Sequence, residues 1–212
     1  MTAATSTVAQ EAVVTTIMLP WRHSGSKRAL ADPAVGHLAA VACAGAPGAA
    51  QPVRWAMDDH GAVVRATPGT VSVVPERWAD VFDTPKTSVV AVKAGDHVHF
   101  TLLAVPERSV RPALTGPVGV GRHKERGTRT PILTDEGIAD WLGTRIEGKD
   151  VPVFGDVSFS FAKRTVYSPM LRHVWHAVFV EAAAVVVDPV AASGLLVGRY
   201  RAYGFGLAVF AP

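Results

Sequence analysis

The histidine at position 37 has the sequence surroundings of a group that could move protons beside a phosphate. It follows the pair Asp32-Pro33, a typical helix start, because aspartate caps free N–H groups and proline suits the first helical turn. The positive end of a helix attracts an anion and favours a neutral imidazole that can accept a proton. His37 is therefore a candidate catalytic acid or base. The alternative is that it packs on the helix surface without a chemical role.

Residues of other common chemistries are missing from the chain. The motifs GxxxxGK[ST], HExxH and GxSxG are absent, and the single Cys43 lies among small apolar residues, so we expect no disulfide and no cysteine-based zinc site. The 18 acidic residues are scattered, which leaves a two-metal nuclease centre without evident ligands. We therefore expect neither a metal nor another cofactor, and a phosphodiester would be cut by a metal-free route. That route fits RNA, whose 2′-OH can attack its own phosphate.

Basic residues cluster before the predicted helix and in three later segments. The net charge of the 212 residues is only +3, so the distribution of charge, rather than its total, indicates a nucleic-acid partner. The later segments are the stretch 107–131, a predicted hairpin around 167–169, and GRYRAYGFG at 198–206. The basic residues that we predict to contact RNA are Arg22, His23, Arg122, Lys124, Arg126, Arg129, Lys163, Arg164, Arg172, Arg199 and Arg201. Solvated basic loops are the alternative.

The glycines of GRYRAYGFG predict a close approach to the main chain, because glycine has no side chain to block it. Composition alone leaves open whether a phosphate, a neighbouring strand or only a tight turn requires them. An Asp-Pro helix start precedes the segment and an apolar stretch follows it, so we predict a helix-to-strand loop. We include Gly198, Gly204 and Gly206 among the RNA-binding candidates.

The predicted elements form two similar halves. Strand and helix patterns follow one another as β-α-β-β-(α)-β and then again, which predicts an α+β fold of tandem ferredoxin-like, or RRM-like, domains. In the first set, TVSVV continues the sheet and the segment 96–106 is the last strand. We place a disordered N-terminus at 1–11, the first domain at 12–106, a basic linker at 107–131 and the second domain at 132–212. Neither a signal peptide nor a run of apolar residues long enough for a membrane span is found, so we expect a cytoplasmic protein.

Several stretches, in the correct order, resemble the CasE endoribonucleases of type I-E CRISPR systems. The C-terminal GLLVGRYRAYGFGLAVFAP is similar to the Gly-rich ending of that family, and VVVDPVAASGLL matches the helix start before it. LADPAVGHLAAVA is similar to a family segment with a histidine four residues after a proline. VPERWADVF, AGDHVHFTLLAVPERSVR and TPILTDEGIADWL also fit. The similarity extends over nearly the whole chain, and its C-terminal stretch is the distinctive part.

The resemblance implies a tandem ferredoxin-like endoribonuclease that binds a CRISPR repeat stem-loop. It implies cleavage of precursor CRISPR RNA at the 3′ base of the stem, without metal, by 2′-OH attack, and retention of the product in the Cascade complex. It carries the catalytic role to His37 and the stem-gripping role to the hairpin around 163–172. We add Lys27 and Arg28 as charge-stabilising residues.

Three positions depart from the family pattern. Ala34 and Ala42 stand where some relatives have a tyrosine and a lysine, and Leu196 replaces a glycine of the Gly-rich segment. The second catalytic group is therefore open, with His23, Lys27 and Arg28 as candidates. A non-catalytic RNA-binding module of the same fold, and a small-molecule-binding or structural α+β protein, are the rival hypotheses.

Overall fold

The computed structural model describes residues 11–23, 26, 31–44, 53–57, 60–66, 72–110, 128–147 and 152–211. The elements in these residues, in chain order, are β1 Glu11–Pro20, α1 Pro33–Cys43, β2 Trp55–Met57, β3 Gly61–Ala66, β4 Lys86–Lys93, β5 His97–Ala104, β6 Glu107–Val110, β7 Thr128–Pro131, α2 Asp135–Ile146, β8 Phe154–Ser168, β9 His173–Val186, α3 Pro189–Ser193 and β10 Val209–Phe210. Short 3₁₀ turns occupy Glu76–Trp78 and Arg201–Tyr203.

The first sheet has the strand order β2-β3-β1-β4, with antiparallel neighbours. Helix α1 begins where its sequence predicts, because Asp32 Oδ1 accepts a hydrogen bond from the Ala34 N–H and Pro33 occupies the first turn. The helix buries small residues, which lets it lie close to the sheet. Its core contains Ile17, Leu19, Ala39, Ala40, Cys43, Trp55, Val64 and Phe82.

The second sheet has the order β10-β5-β9-β8, again antiparallel. Helix α2 is capped by Thr134, whose Oγ1 accepts from the Gly137 N–H at 3.2 Å. Apolar residues spaced three and four apart put one face of α2 in the core. These residues are Ile138, Trp141, Leu142 and Ile146, and they join Phe100, Leu102 and Val180 of the sheet.

Both sheets place the first strand of their half in the centre, beside the third, as in a ferredoxin-like βαββαβ unit. The predicted α+β fold of tandem ferredoxin-like domains is confirmed. In the described part of the first half, the 3₁₀ turn Glu76–Trp78 stands between β3 and β4, where the second helix of the unit would lie.

The strand that we expected to close the first domain lies elsewhere. The segment 96–106 supplies β5, which pairs with β9 and β10 in the second sheet, and the first sheet is closed by β4, for which we made no prediction. The reason is its buried face: Phe100, Leu102 and Ala104 alternate on β5 and pack in the core beneath α2.

The expected linker 107–131 also differs from the prediction. Its two ends pair as β6 and β7, while 111–127 lies outside the described residues. The TVSVV stretch shows no strand over its described residues 72–74. The helix-to-strand loop predicted for GRYRAYGFG is confirmed, since that segment lies between α3 and β10.

The two halves are joined by an arginine of β3. The Arg65 guanidinium donates hydrogen bonds to the carbonyl of Ser193, the last residue of α3, and to that of Ala208 at 2.9 Å. Burial, and secondarily the charge of Arg54, lowers the pKa of Arg65 to about 10. The group is therefore charged at neutral pH. No helix in the described part of the chain is long and apolar enough to cross a membrane.

Candidate functional site

The predicted catalytic histidine is half-buried on α1, near the start of the helix. Its Nδ1 atom is buried and has no hydrogen-bond partner among the described residues. Burial lowers the pKa of His37 below its ordinary value, because a charged imidazolium is poorly solvated there. The imidazole is consequently neutral near pH 7, as a proton acceptor must be.

The segment GRYRAYGFG at 198–206, here named the Gly-rich loop, lies against this histidine. The ring of Tyr203, at the end of the 3₁₀ turn, meets the ring of His37 edge to face, with centroids 6.3 Å apart. The same tyrosine ring packs on Trp175 of β9, with centroids 5.6 Å apart. Tyr203 is therefore placed between the histidine of the first domain and an aromatic cluster of the second.

A buried tryptophan of β2 explains why the loop can approach α1 so closely. The Trp55 indole is fully buried, and a Cβ at Gly36 or at Gly204 would meet its ring, at 2.3 Å and 3.1 Å. Gly204 also has a left-handed φ of 81°. The indole thus fits between the residue before His37 and the residue after Tyr203, and this contact brings the two segments together.

Gly206 brings the loop close to the backbone of Val197. Its φ is 85°, and a Cβ there would lie 2.1 Å from the carbonyl oxygen of Val197. The Gly206 N–H donates to the Leu103 carbonyl at 2.6 Å. The close approach that the glycines allow at 204 and 206 is therefore to protein, namely the Trp55 ring and the Val197 backbone.

The tip of the β8–β9 hairpin contacts the start of α1. Asp32 Oδ1 accepts a hydrogen bond from the Ser168 hydroxyl at 2.6 Å, and Asp32 Oδ2 accepts one from the Met170 N–H at 2.9 Å. Partial burial raises the pKa of Asp32, but the hydrogen bonds from Ser168, Met170 and Ala34 outweigh that effect and hold the pKa below its usual value. The carboxylate that caps the helix therefore also fixes the hairpin.

The hairpin itself presents exposed basic and apolar side chains. Lys163, Arg164 and Arg172 are all exposed, with Lys163 Nζ 2.6 Å from Asp135 Oδ1. Arg172 has a left-handed φ of 51° in the turn. The sequence prediction of a hairpin at this position is confirmed by the pairing of Ser168 with His173.

Two arginines lie near Tyr200 of the Gly-rich loop. The Tyr200 hydroxyl donates to Glu107 Oε1 at 2.9 Å. Burial and this carboxylate raise the pKa of Tyr200, while the nearby charges of Arg129 and Arg199 act in the opposite direction. Both arginines are exposed. The structure thus brings together two predicted RNA contacts, one from β7 and one from the Gly-rich loop, that are distant in the sequence.

Three more predicted contacts take part in interactions within the protein. Arg22 is exposed, and its Nη1 donates to the Ala79 carbonyl at 2.6 Å. His23 is exposed, with Nδ1 3.3 Å from the hydroxyl of buried Ser26. Arg201 is exposed and donates from Nε to the Gly198 carbonyl at 3.3 Å. The predicted residues Lys27, Arg28, Arg122, Lys124 and Arg126 lie outside the described residues.

Two residues of this site, Tyr203 and Ser168, were not predicted from the sequence. Tyr203 was visible as an aromatic residue in the distinctive C-terminal stretch, but nothing in the sequence related it to His37. Ser168 had the hairpin signal Tyr-Ser-Pro around it without any sign of a contact with Asp32. The described residues contain no group of three or more His, Cys, Asp or Glu side chains placed to hold a metal ion.

Comparison with solved structures finds the same fold over nearly the whole chain. A structure of the CRISPR endoribonuclease Cse3 bound to 19 nt RNA is 21% identical, with a TM-score of 0.64, and the match covers 96% of this chain and 100% of that one. Thermus thermophilus Cse3, bound to an RNA representing a pre-cleavage complex, is 22% identical with a TM-score of 0.60 and the same coverage. Cas6e from Escherichia coli K-12 is 15% identical with a TM-score of 0.56, covering 95% and 100%.

These comparisons show a likeness of fold at 15–22% sequence identity. No family model matches the chain, and no curated protein sequence matches it either. The chain has the tandem ferredoxin-like fold of the Cse3 and Cas6e proteins along its length. Where its two domains contact each other, the Gly-rich loop lies against His37 and the β8–β9 hairpin contacts Asp32 at the start of the same helix.

Proposed function

We propose that this protein is a CRISPR RNA-processing endoribonuclease of the CasE type. The observation that carries the proposal is the position of His37 in a chain with the Cse3 fold. This half-buried, neutral imidazole lies where helix α1, the Gly-rich loop and a basic hairpin come together. The substrate is precursor CRISPR RNA, bound at its repeat stem-loop and cut at the 3′ base of the stem.

The proposed reaction is a metal-free transesterification. The 2′-OH loses its proton as its oxygen forms a bond to the adjacent phosphorus, and the bond from phosphorus to the 5′ oxygen breaks as that oxygen receives a proton. The products are a 2′,3′-cyclic phosphate, which can open to a 3′ phosphate, and a 5′-OH. His37 transfers one of these protons. Because its Nδ1 is buried, Nε2 is the nitrogen that we assign to the substrate side.

Charge on the transition state requires nearby cations. Lys27 and Arg28 belong to the segment that leads into α1, and we propose them for this role from their place in the sequence. The second proton transfer is open among His23, Lys27 and Arg28 of the same segment, and of these the imidazole of His23 is exposed.

The RNA-binding surface that we propose lies mainly on the second domain. Exposed arginines of β7, the hairpin and the Gly-rich loop contribute to it, and phosphate contacts of this kind supply much of the affinity for RNA. After cleavage the protein keeps the stem-loop and joins the other Cascade subunits. This part of the proposal rests on the resemblance to CasE.

Replacing the histidine tests the catalytic assignment. His37→Ala should reduce cleavage of repeat RNA in EDTA by about 100-fold or more, because general acid–base catalysis contributes about 10²–10⁴-fold. Its affinity for the RNA should remain within about 3-fold of wild type, because cationic contacts dominate binding. His97→Ala, at an exposed histidine of β5, is the matched control and should cleave normally.

The possible outcomes separate the rival functions. Undiminished cleavage by His37→Ala would overturn the role of that residue. A wild-type protein that shifts the mobility of repeat RNA without cutting it would favour the non-catalytic module. Weak binding that does not change with salt would favour the small-molecule or structural protein, because phosphate contacts make affinity fall steeply as salt rises.

A further inference from the structure

One carboxylate connects the helix of His37 to the hairpin of the other domain. Asp32 Oδ1 accepts from the Ala34 N–H at 2.9 Å inside the first domain and from the Ser168 hydroxyl at 2.6 Å across the domain boundary. Oδ2 accepts from the Met170 N–H at 2.9 Å, also across the boundary. The charged acceptor makes these hydrogen bonds stronger than neutral ones.

Ser168 fixes the other end of this connection. Its side chain is fully buried, and its Oγ accepts a hydrogen bond from the Leu171 N–H at 3.1 Å while its own hydroxyl donates to Asp32. The hydroxyl thus determines the shape of the turn 169–172 and ties that turn to α1. The side chains of Arg164 and Arg172 on the hairpin are exposed, so a ligand can reach them.

A cap alone does not require this arrangement. Asp188 begins α3 with the same Asp-Pro pair and accepts from the Ala191 N–H at 3.0 Å. Among the described residues no hydrogen bond joins its side chain to the first domain. Asp188 therefore provides a matched control for helix capping.

We propose that Asp32 and Ser168 are positioning residues for RNA cleavage. They hold the stem-gripping hairpin at a fixed place relative to α1, so that an RNA stem bound to the hairpin presents its phosphodiester to His37, five residues after Asp32. Neither residue transfers a proton in the reaction. The inference rests on the proposed function, because it assigns the geometry of that same cleavage.

The inference predicts a loss in rate without a comparable loss in binding. Ser168→Ala keeps the helix-capping hydrogen bond from the Ala34 N–H to Asp32 and removes the hydrogen bond from the Ser168 hydroxyl to Asp32. Asp32→Asn leaves one side-chain acceptor oxygen in place of two. Each should slow single-turnover cleavage by about 10- to 100-fold, because misplacing a reacting group by about 1 Å costs about 10²-fold. The dissociation constant for uncleaved repeat RNA should change by less than about 3-fold, because the phosphate contacts remain.

The experiment measures single-turnover cleavage, RNA affinity and thermal unfolding for wild type, Ser168→Ala, Asp32→Asn, the double variant and Asp188→Asn. The double variant should be no slower than the slower single variant, because both changes break one connection. Asp188→Asn should cleave as wild type does. Thermal unfolding midpoints show that the variants are folded at the assay temperature.

Three results would contradict the inference. Wild-type rates in Ser168→Ala and Asp32→Asn would overturn it while leaving the proposed function intact. An equal loss of rate in Asp188→Asn would reduce the effect to helix capping and overturn it as well. A wild-type protein that binds repeat RNA without cutting it would overturn the proposed function, and this inference with it.

Discussion

The chemistry available to His37 is determined by the residues around it rather than by its position in the sequence alone. The Tyr203 ring packs against the imidazole, and the buried Nδ1 indicates that the ring is partly removed from water. This burial disfavours the charged form and lowers the pKa of His37, so the imidazole is neutral near pH 7.

The pKa of His37 should therefore depend on Tyr203. In Tyr203→Ala, water replaces the ring, the imidazolium becomes better solvated, and the pKa of His37 should rise towards its ordinary value of about 6.5. Tyr203→Phe keeps the ring and should leave the pKa lowered. Titration of the imidazole signals by NMR, with His37→Ala for assignment, measures the shift.

The matched control is an exposed tyrosine on the hairpin. Tyr167→Ala should leave the titration of His37 unchanged, because that side chain is 53% exposed and makes no ring contact with His37 in the described residues. A pKa of His37 that is the same in wild type and in Tyr203→Ala would contradict the packing account.

At the scale of elements, short segments from both domains form the site. The helix α1 is held by its cap, by the Trp55 indole and by the hairpin turn, and the Gly-rich loop is held between Trp55 and the carbonyl of Val197. The contact between the two domains is also stabilised by Arg65 of β3. Its guanidinium donates to the carbonyl of Ser193 at the C-terminal end of α3, where a positive charge is favoured, and to that of Ala208.

Removing this arginine should weaken the contact between the domains. Arg65→Ala leaves the carbonyls of Ser193 and Ala208 without their charged donor, and we expect the free energy of unfolding to fall by about 2–3 kcal/mol. Chemical denaturation followed by tryptophan fluorescence measures the change. Arg54→Ala is the control, and it should cost less because the Arg54 charge opposes that of Arg65. Equal stability of Arg65→Ala and wild type would contradict the role of this contact.

In the whole molecule, basic side chains from segments that are distant in the sequence lie near each other. Arg129 on β7 and Arg199 in the Gly-rich loop are 70 residues apart in the sequence, and both act on the hydroxyl of Tyr200. Under the proposed function, this grouping would offer a phosphate of the RNA two cations at one place.

The salt dependence of the RNA affinity should report how many phosphate contacts these arginines make. Replacing Arg129 or Arg199 by alanine should weaken RNA binding and reduce the slope of log affinity against log salt by about 1 for each residue. Lys93→Ala is the control, because Lys93 lies at the far end of β4 and pairs with Glu11 at 3.9 Å. Unchanged slopes in both arginine variants would remove these residues from the binding surface.

Local sequence signals predicted the parts of this fold that depend on local physics. Asp32-Pro33 and Asp188-Pro189 mark helix starts, and Tyr-Ser-Pro marks the hairpin, because caps and turns involve neighbours in the chain. The sheet to which the segment 96–106 belongs was not predictable in the same way. An alternating strand shows that one of its faces is buried, and the partner strands that lie beside it are chosen by long-range packing.

The candidate site likewise has one part that the sequence could predict and one part that it could not. His37 was predictable from its cap and from the resemblance to CasE. The contacts of Tyr203 with His37 and of Ser168 with Asp32 join residues 166 and 136 positions apart, and no local pattern reports such pairs. The glycines at 204 and 206 were predicted to allow a close approach, and the partners of that approach, Trp55 and Val197, are given by the tertiary fold.

The proposed cleavage is tested most directly by the chemistry of the RNA ends that wild-type protein produces from repeat RNA in EDTA. We predict one cut at the 3′ base of the stem, with a 2′,3′-cyclic or 3′ phosphate on one fragment and a 5′-OH on the other. We also predict no cut when the nucleotide before the scissile phosphate is 2′-deoxy, because the attacking oxygen is then absent. Cleavage of the 2′-deoxy substrate, or fragments with a 5′ phosphate, would contradict attack by the 2′-OH.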